Sequence, residues 1–238
     1  MNKILLFLFL LLLTSSDLYS QYNGHEFSVG LNGVYSTSAD VFLNPNSTDI
    51  VLRSKAFEIE DIFNPGIDIR YRLSESVIIG LNVEYIKATE TATNFRALAG
   101  SSIVTLNVED GFLLIPVEVS AYYLLPFSTT DFKFSMGGGL AYYNGKFIRK
   151  VGDAEADNVE QQAAFGLHVS VEMDYMLREN VAINFSMKFR DPQFTVKSKY
   201  SKQEIMYEGD RVPLPEGSFD TKVDMNGVTF ILGIAFQI

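Results

Sequence analysis

The chain contains no cysteine and no tryptophan, and only two histidines in 238 residues. Without cysteine there are no disulfides, no thiolate metal sites and no lipid carried on an N-terminal Cys. With His25 and His168 as the only imidazoles, the search for acid-base or metal chemistry is short. Positive charge is also scarce: 19 Lys and Arg stand against 29 Asp and Glu, a formal net charge of −10 that argues against nucleic acid as a partner. No apolar run after Leu13 reaches the roughly 20 residues that a membrane-crossing helix needs. After residue 20 low-complexity tracts are absent, and no sequence repeat appears beyond a rhythm of hairpins.

What is present begins with an N-terminal targeting pattern. Asn2-Lys3 is a short positive region, Ile4 to Leu13 an apolar core, and Thr14 to Ser20 a polar exit. Residues 1–20 are therefore expected to be a secretory signal peptide cut near Ser20-Gln21, although Leu18 departs from the usual small residue there. The domain expected from residue 21 to 238 is the size of one β-barrel or β-sandwich. Its 47% hydrophobic content, rich in Phe and Tyr, excludes disorder.

Period-two alternation dominates that domain. From Ala164 to Leu177, Phe165, Leu167, Val169, Val171, Met173 and Tyr175 share one phase, and Gly166, His168, Ser170, Glu172 and Asp174 share the other. After Arg178-Glu179-Asn180 the same pattern resumes from Val181 to Arg190, which makes a tight hairpin. The other strands are expected at Glu26–Ser36, Gly66–Leu73, Val77–Lys87, Leu113–Leu125, Phe132–Tyr143 and Gly227–Ile238, eight in all. Their connections alternate between short and long. Ser74–Ser76, Pro126–Asp131 and Arg178–Asn180 are turns, whereas Thr37–Pro65, Ala88–Phe112, Asn144–Gln162 and Asp191–Asn226 are long and fall at the opposite end. Transmembrane barrels have this asymmetry, with short periplasmic turns and long extracellular loops. The expected fold is an all-β, closed, eight-stranded antiparallel up-and-down transmembrane β-barrel.

Alternation alone also suits a soluble lipocalin-like barrel or a β-sandwich. The polar phase helps to decide, because it mixes Gly30, Gly80, Gly137, Gly139, Ala141, Gly166 and Gly233 with charges, as a crowded eight-stranded lumen requires. Those charges balance: Asp68, Glu84, Glu118, Glu172 and Asp174 against Arg70, Arg72, Lys133, Lys188 and Arg190. Buried charges are costly unless paired, so these ten residues are expected to form an ion-pair network that plugs the lumen. Tyr35, Tyr71, Tyr85, Tyr123, Tyr142, Tyr175, Phe132 and Phe189 lie toward strand ends, where aromatic girdles belong.

The search for chemistry returns little. His168, Ser170 and Glu172 share a face, but residues two apart on a strand sit about 6.5 Å apart, beyond the roughly 2.6–3.2 Å that a nucleophile and base require. Gly137-Gly138-Gly139 lies inside a strand and reads as relief of crowding or a bend, not a phosphate loop. The acidic groups Asp49, Glu58, Glu60, Asp61 and Asp153, Glu155, Asp157 lack the pattern of a Ca²⁺ loop. No catalytic, cofactor or metal residues are expected. Within the long connections, Phe57–Glu60, Val104–Val108, Phe194–Val196 and Ile205–Tyr207 still alternate, so strands should continue and pair there. Val212–Gly217, with two prolines, is expected to be an exposed extended tip.

The terminal phase Val228, Phe230, Leu232, Ile234, Phe236 and Ile238, with Leu114-Ile115-Pro116-Val117 opening another strand, resembles the small OmpA/OmpX-type outer-membrane barrels of Gram-negative bacteria. The likeness spans the mature chain, whose last residue is Ile238 where that group usually has Phe. It implies location in the outer membrane, contact with outer-membrane lipid, insertion by the barrel-assembly machinery, and a monomer. It also implies no cofactor, and a structural or surface-interaction role, with any unknown ligand meeting the long loops. The alternatives are a lipid-modifying enzyme using His168, a secreted soluble barrel for an apolar ligand, and a narrow channel. Pro116 removes a ladder hydrogen bond and is expected to mark a bulge or the membrane rim. The barrel reading predicts recovery in the outer-membrane fraction and a gel mobility that changes on boiling; full recovery in the detergent-free soluble fraction would favour the soluble alternative.

Overall fold

The computed structural model describes residues 26–99, 102–161 and 163–238, so the expected signal peptide and His25 lie outside the described residues. The elements are β1 (Phe27–Phe42), a helix α1 (Ile50–Ser54), β2 (Ala56–Arg72), β3 (Val77–Glu84), β4 (Ile86–Ala99), β5 (Ser102–Leu124) and β6 (Phe132–Val151). They continue with β7 (Ala154–Gln161), β8 (Ala164–Arg178), β9 (Val181–Arg190), β10 (Gln193–Tyr200), β11 (Glu204–Tyr207), β12 (Asp210–Pro213), β13 (Phe219–Asp224) and β14 (Val228–Gln237). The fold is an all-β, antiparallel, up-and-down sheet. Its pairings run β1–β2–β3–β5–β6–β8–β9–β14 and return to β1. The first and last strands meet through Ile238 N–H donating to the Phe27 carbonyl at 2.8 Å.

Several strands are consecutive pieces of one longer path. β4 resumes on β5 in the register that β3 leaves, with Val83 opposite Val117 and Ile86 opposite Leu114. β9 and β10 follow β14 and β13 equally smoothly, Phe189 facing Val228 and Gln193 facing Asp224. β7 leads into β8, and β13 into β14, across short breaks. The long connections expected from the sequence are therefore mostly strand. Only the segments around 43–55 and 201–218 remain largely outside the main sheet, and the second carries the β11–β12 hairpin.

The alternating pieces Phe57–Glu60, Val104–Val108, Phe194–Val196 and Ile205–Tyr207 all pair, on β1, β4, β13 and β12 respectively. The expected exposed tip at 212–217 is different. Val212 and Leu214 are buried, packed with Leu106, Val108, Val151 and Ile205, because the hairpin folds its apolar side onto the strand ends. Of the two expectations for Pro116, the bulge does not form, since it faces Tyr143 in unbroken β5–β6 register; its place is beside the aromatic row at Tyr142. On its other edge it falls in the interval between the β3 and β4 ladders, where β5 needs no donor.

The two phases face as a membrane requires. Leu31, Ile67, Leu81, Val119, Leu140, Leu167, Phe185 and Leu232 are exposed, whereas Asn32, Asp68, Glu118, Ser120, Glu172, Asn184 and Lys188 are buried. A soluble barrel buries its apolar phase; this sheet turns it outward. Aromatic pairs bound the outward belt, Phe27–Tyr71 and Phe132–Tyr175 at the turn end, Tyr35–Phe63 and Tyr142–Phe165 at the other. Phe27 and Tyr35 lie eight residues apart, roughly 26 Å of strand.

Near that second aromatic row the inner face changes character. Asp61 adopts φ 55°, and the register passes from Ser36–Ile62 to Ser38–Glu60. Aspartate tolerates this left-handed conformation better than most residues. Beyond it the inward residues are Ala39, Val41 and Ile59, which join Ile86, Phe112, Leu114, Tyr143, Phe147, Phe194 and Val196 in an apolar layer.

The glycines of the inner phase make room for large neighbours. A Cβ on Gly137 would meet the Tyr122 ring at 2.3 Å, and one on Gly139 would meet the Val119 carbonyl oxygen at 1.9 Å. The second clash is with backbone and cannot be relieved by a rotamer. Gly139→Ala is therefore expected to cost about 1–3 kcal/mol, read as a lower urea midpoint for the unboiled, fast-migrating band. Gly217→Ala, with nothing within 4 Å of the added carbon, should leave that midpoint unchanged.

Candidate functional site

The turn-end half of the interior is ionic. Glu84 on β3, Glu118 on β5, and Lys188 and Arg190 on β9 form a group of two acids and two bases, all at most 3% exposed at the side chain. Lys188 Nζ donates to Glu118 at 2.5 Å and to Glu84 at 3.2 Å. The Arg190 guanidinium donates to both Glu84 oxygens, at 2.8 and 3.0 Å, and to Glu118 at 3.2 Å. Asn64 adds a bond to Glu84 at 3.4 Å.

A second group lies closer to the turns. Arg70 donates to Asp68 at 2.9 Å and to Glu172 at 2.6 Å, and its guanidinium stacks over the Tyr122 ring at 5.0 Å. Asn32 satisfies Asp68 at 2.7 Å, and Asn184 satisfies Asp174 at 2.6 Å. Of the ten residues expected in the lumen network, seven thus meet in two ion-paired groups. Asp174 is held by Asn184 and lines a small cleft at the turn end with Arg70 and Arg72. Lys133 stands opposite Asp174 in the β6–β8 register.

Period two put these residues on one face but could not say which would meet. In the first group the partners lie 70 to 106 positions apart in the chain, and only the pairing of the strands brings them together. Three further contacts had no sequence signal. Arg149 makes a bidentate pair with Asp110, at 2.6 and 2.7 Å, buried within the far half of the interior. Burial lowers the affinity of that guanidinium for its proton, but the Asp110 hydrogen bonds outweigh it and raise its pKa above the ordinary value.

The second is Ser120 on β5, whose Oγ lies 2.8 Å from His168 Nε2 on β8. Gly139 on β6 stands between the two in register and supplies no side chain to separate them. The pair is buried, and His168 Nδ1 has no hydrogen-bond partner among the described residues. A triad needs an acid at that nitrogen to orient the ring, and here it has none. Ser170 and Glu172 do not join His168: Ser170 Oγ makes no hydrogen bond, and Glu172 is held by Arg70. Among the described residues, no three His, Asp or Glu side chains gather as metal ligands.

The third is a break in the wall. β6 pairs with β8 up to Tyr143–Ala164 and with β7 only at Lys150–Glu155 and Val151–Ala154. Residues 144–149 are left without a ladder on that edge, and the Asn158 side chain stands in for one. It accepts from Phe147 N–H at 3.1 Å and donates to the Phe147 carbonyl at 3.0 Å. The break is part of a groove of about 900 Å³.

An outward apolar belt between aromatic rows, wrapped around an ion-paired interior, defines an integral outer-membrane β-barrel protein. Residues 30–238 match the family model described as the OmpW family, and the chain belongs to that family. The sequence resemblance to small outer-membrane barrels thus reached the same class of protein. The outer-membrane protein OprG from Pseudomonas aeruginosa is 16% identical, covers 91% of this chain and 98% of its own, and superposes with a TM-score of 0.61. The outer-membrane protein AlkL in lipid bilayers is 15% identical over 94% of each chain, with a TM-score of 0.49. The E. coli outer-membrane protein W is 14% identical over 90% of this chain and 98% of its own, with a TM-score of 0.37. At such identities only the likeness to OprG carries weight, and it is a likeness of fold. No curated protein matches the sequence.

Arg190→Ala would leave Glu84 and Glu118 buried with Lys188 as their remaining shared cation. The expected cost is about 3–5 kcal/mol, measured as a fall in the urea midpoint of the folded band. A midpoint unchanged from wild type would mean that the cluster does not support the fold.

Proposed function

We propose that the cycle of ladders is a closed, eight-stranded transmembrane barrel with a sealed interior, which acts as a monomeric surface-interaction protein and carries no enzymatic activity. Strands in hydrocarbon must satisfy every backbone donor and acceptor, and a closed cycle does so without an edge. The short turns at Ser74, Thr129 and Glu179 lie on the periplasmic side, and β4, β7, β10–β13 and α1 project outward. The terminal strand, with its outward Phe230, Leu232, Ile234 and Phe236, is the part offered to the barrel-assembly machinery.

The observation that carries the sealed reading is the stacking of two different layers. The ionic groups around Lys188 and Arg190 lie below, and the apolar layer of Phe112, Leu114, Phe147 and Phe194 lies directly beyond them. Ions cross neither layer easily: the first holds its charges in pairs, and the second offers none. Purified protein in planar bilayers is expected to give no unitary conductance steps, and steps of steady size would sink the proposal. The absence of an acid at His168 Nδ1 supports the non-enzymatic reading. Cells carrying His168→Ala should show an unchanged outer-membrane lipid profile; a changed profile with a stable barrel would revive the lipid-modifying enzyme.

A second reading has one observation in its favour. Phe147 belongs to the apolar layer and also lines the groove at the β6–β7 break, so that layer communicates with the outer wall beside the membrane. A small apolar solute entering from outside would be stopped by the ionic groups below and released sideways. Saturable quenching of an apolar fluorophore, abolished by a bulky Ala156→Trp and retained in Lys150→Gln, would favour it over a sealed surface protein.

A further inference from the structure

The outward side of the groove on β4, β5 and β6 holds charges that no internal contact explains. In register, Lys87, Leu113 and Lys146 stand side by side on three neighbouring strands, so the two lysines flank one leucine about 10 Å apart. Both side chains are exposed, and neither has a carboxylate partner among the described residues. Along its own strand Lys87 is two residues beyond Tyr85, and Lys146 is four beyond Tyr142, both tyrosines being outward and exposed. The lysines therefore stand just past the apolar belt.

The acids of the groove are already engaged. Glu155 pairs with Lys150 at 3.1 Å, and Glu160 pairs with Lys197 at 3.1 Å. Glu109 sits opposite Lys150, and Asp157 opposite Lys199. Each of these acids is thus set against a lysine of the wall, which leaves Lys87 and Lys146 as the unengaged cations of the groove beside the belt. Its floor there is apolar, formed by Leu113 and Ile148 with the Tyr85 ring at the rim.

We propose that this groove seats the phosphate-bearing headgroup of an outer-leaflet lipid, with Lys87 and Lys146 as its two cationic contacts. The acyl chains would run down over Tyr85 and Val83, both outward and exposed on β3 and its junction with β4. A solvated peptide or polysaccharide would gain nothing from that apolar belt, whereas a lipid is already present along it. Basic pockets at the membrane surface recognise anionic headgroups in this way, each lysine contributing about fivefold in affinity. The site rests on the membrane span proposed above, and insertion of wild-type protein into dimyristoylphosphatidylcholine vesicles checks that span separately.

The test is native mass spectrometry of the full mature chain in detergent, with dioleoyl phosphatidic acid, dioleoyl phosphatidylcholine or inorganic phosphate as probe. Wild type is expected to retain phosphatidic acid in preference to phosphatidylcholine. Lys87→Gln/Lys146→Gln should weaken that retention roughly thirtyfold, while Lys150→Gln, whose lysine is already paired with Glu155, should change it little. Both exposed substitutions should leave the heat-modifiable mobility intact. Equal retention of the two lipids by wild type, or undiminished phosphatidic acid on the double variant, overturns the proposal. So does displacement of the lipid by inorganic phosphate at equal concentration, which would mark a free-anion site.

Discussion

A strand in hydrocarbon has no water to bond its backbone, so the constraint on which everything else rests is that the sheet must leave no edge in the membrane. The ladders meet it by returning from β14 to β1, with Phe27 and Ile238 bonded main chain to main chain. That cycle of ladders shapes the rest of the chemistry. The inward side chains are crowded against one another, so the inward phase alternates glycine and serine with long charged residues. The outward phase is free to be uniformly apolar. Tyr122 lies against Gly80 and Gly137, and Ser120 reaches His168 over Gly139, because one strand's missing side chain is the space its neighbours occupy.

The interior is divided into an ionic half and an apolar half, and the division coincides with the local backbone irregularity at Asp61. Below that point alternation sends Asn32, Asn64 and Asp68 inward; beyond it, Ile59, Ala39 and Val41. A one-residue change of phase exchanges the two faces of a strand, and here it lets the same chain line an ionic interior at the turn end and an apolar core at the other end. The far half is consequently a folded extension with its own core, capped by the β11–β12 hairpin through Val212 and Leu214. An interruption between Asn144 and Arg149 is bridged by the side chain of Asn158 and opens onto the outward groove.

Much of this was legible in the chain. The paths of β5, β6, β8, β9 and β14 follow from alternation, and the turns at Ser74 and Arg178 from the residues that interrupt it. The ten inward charges could be picked out because period two assigns each residue a face regardless of what the face meets. The far-half strands were legible only as weak alternation. Glu90, Glu109, Lys150 and Lys199 interrupt the apolar pattern with charges on the solvated side, and the prolines at 213 and 215 suggest a loop where Val212 and Leu214 are buried. Pro116 suggested a bulge or the membrane rim, and the sequence could not choose because it does not reveal that the neighbouring strand changes from β3 to β4 at that height.

Alone, the sequence determined the period, the facing of each residue, the balance of inward charge and the polarity of the two strand ends, because these are local properties of an extended chain. Only the tertiary structure decided which phase meets solvent or lipid, that Lys188 and Arg190 share Glu84 and Glu118, that His168 meets Ser120 and not Ser170, and that Lys87 and Lys146 flank Leu113. Those are properties of register between strands, and register follows from the pairing of the whole sheet, a condition that no single segment contains.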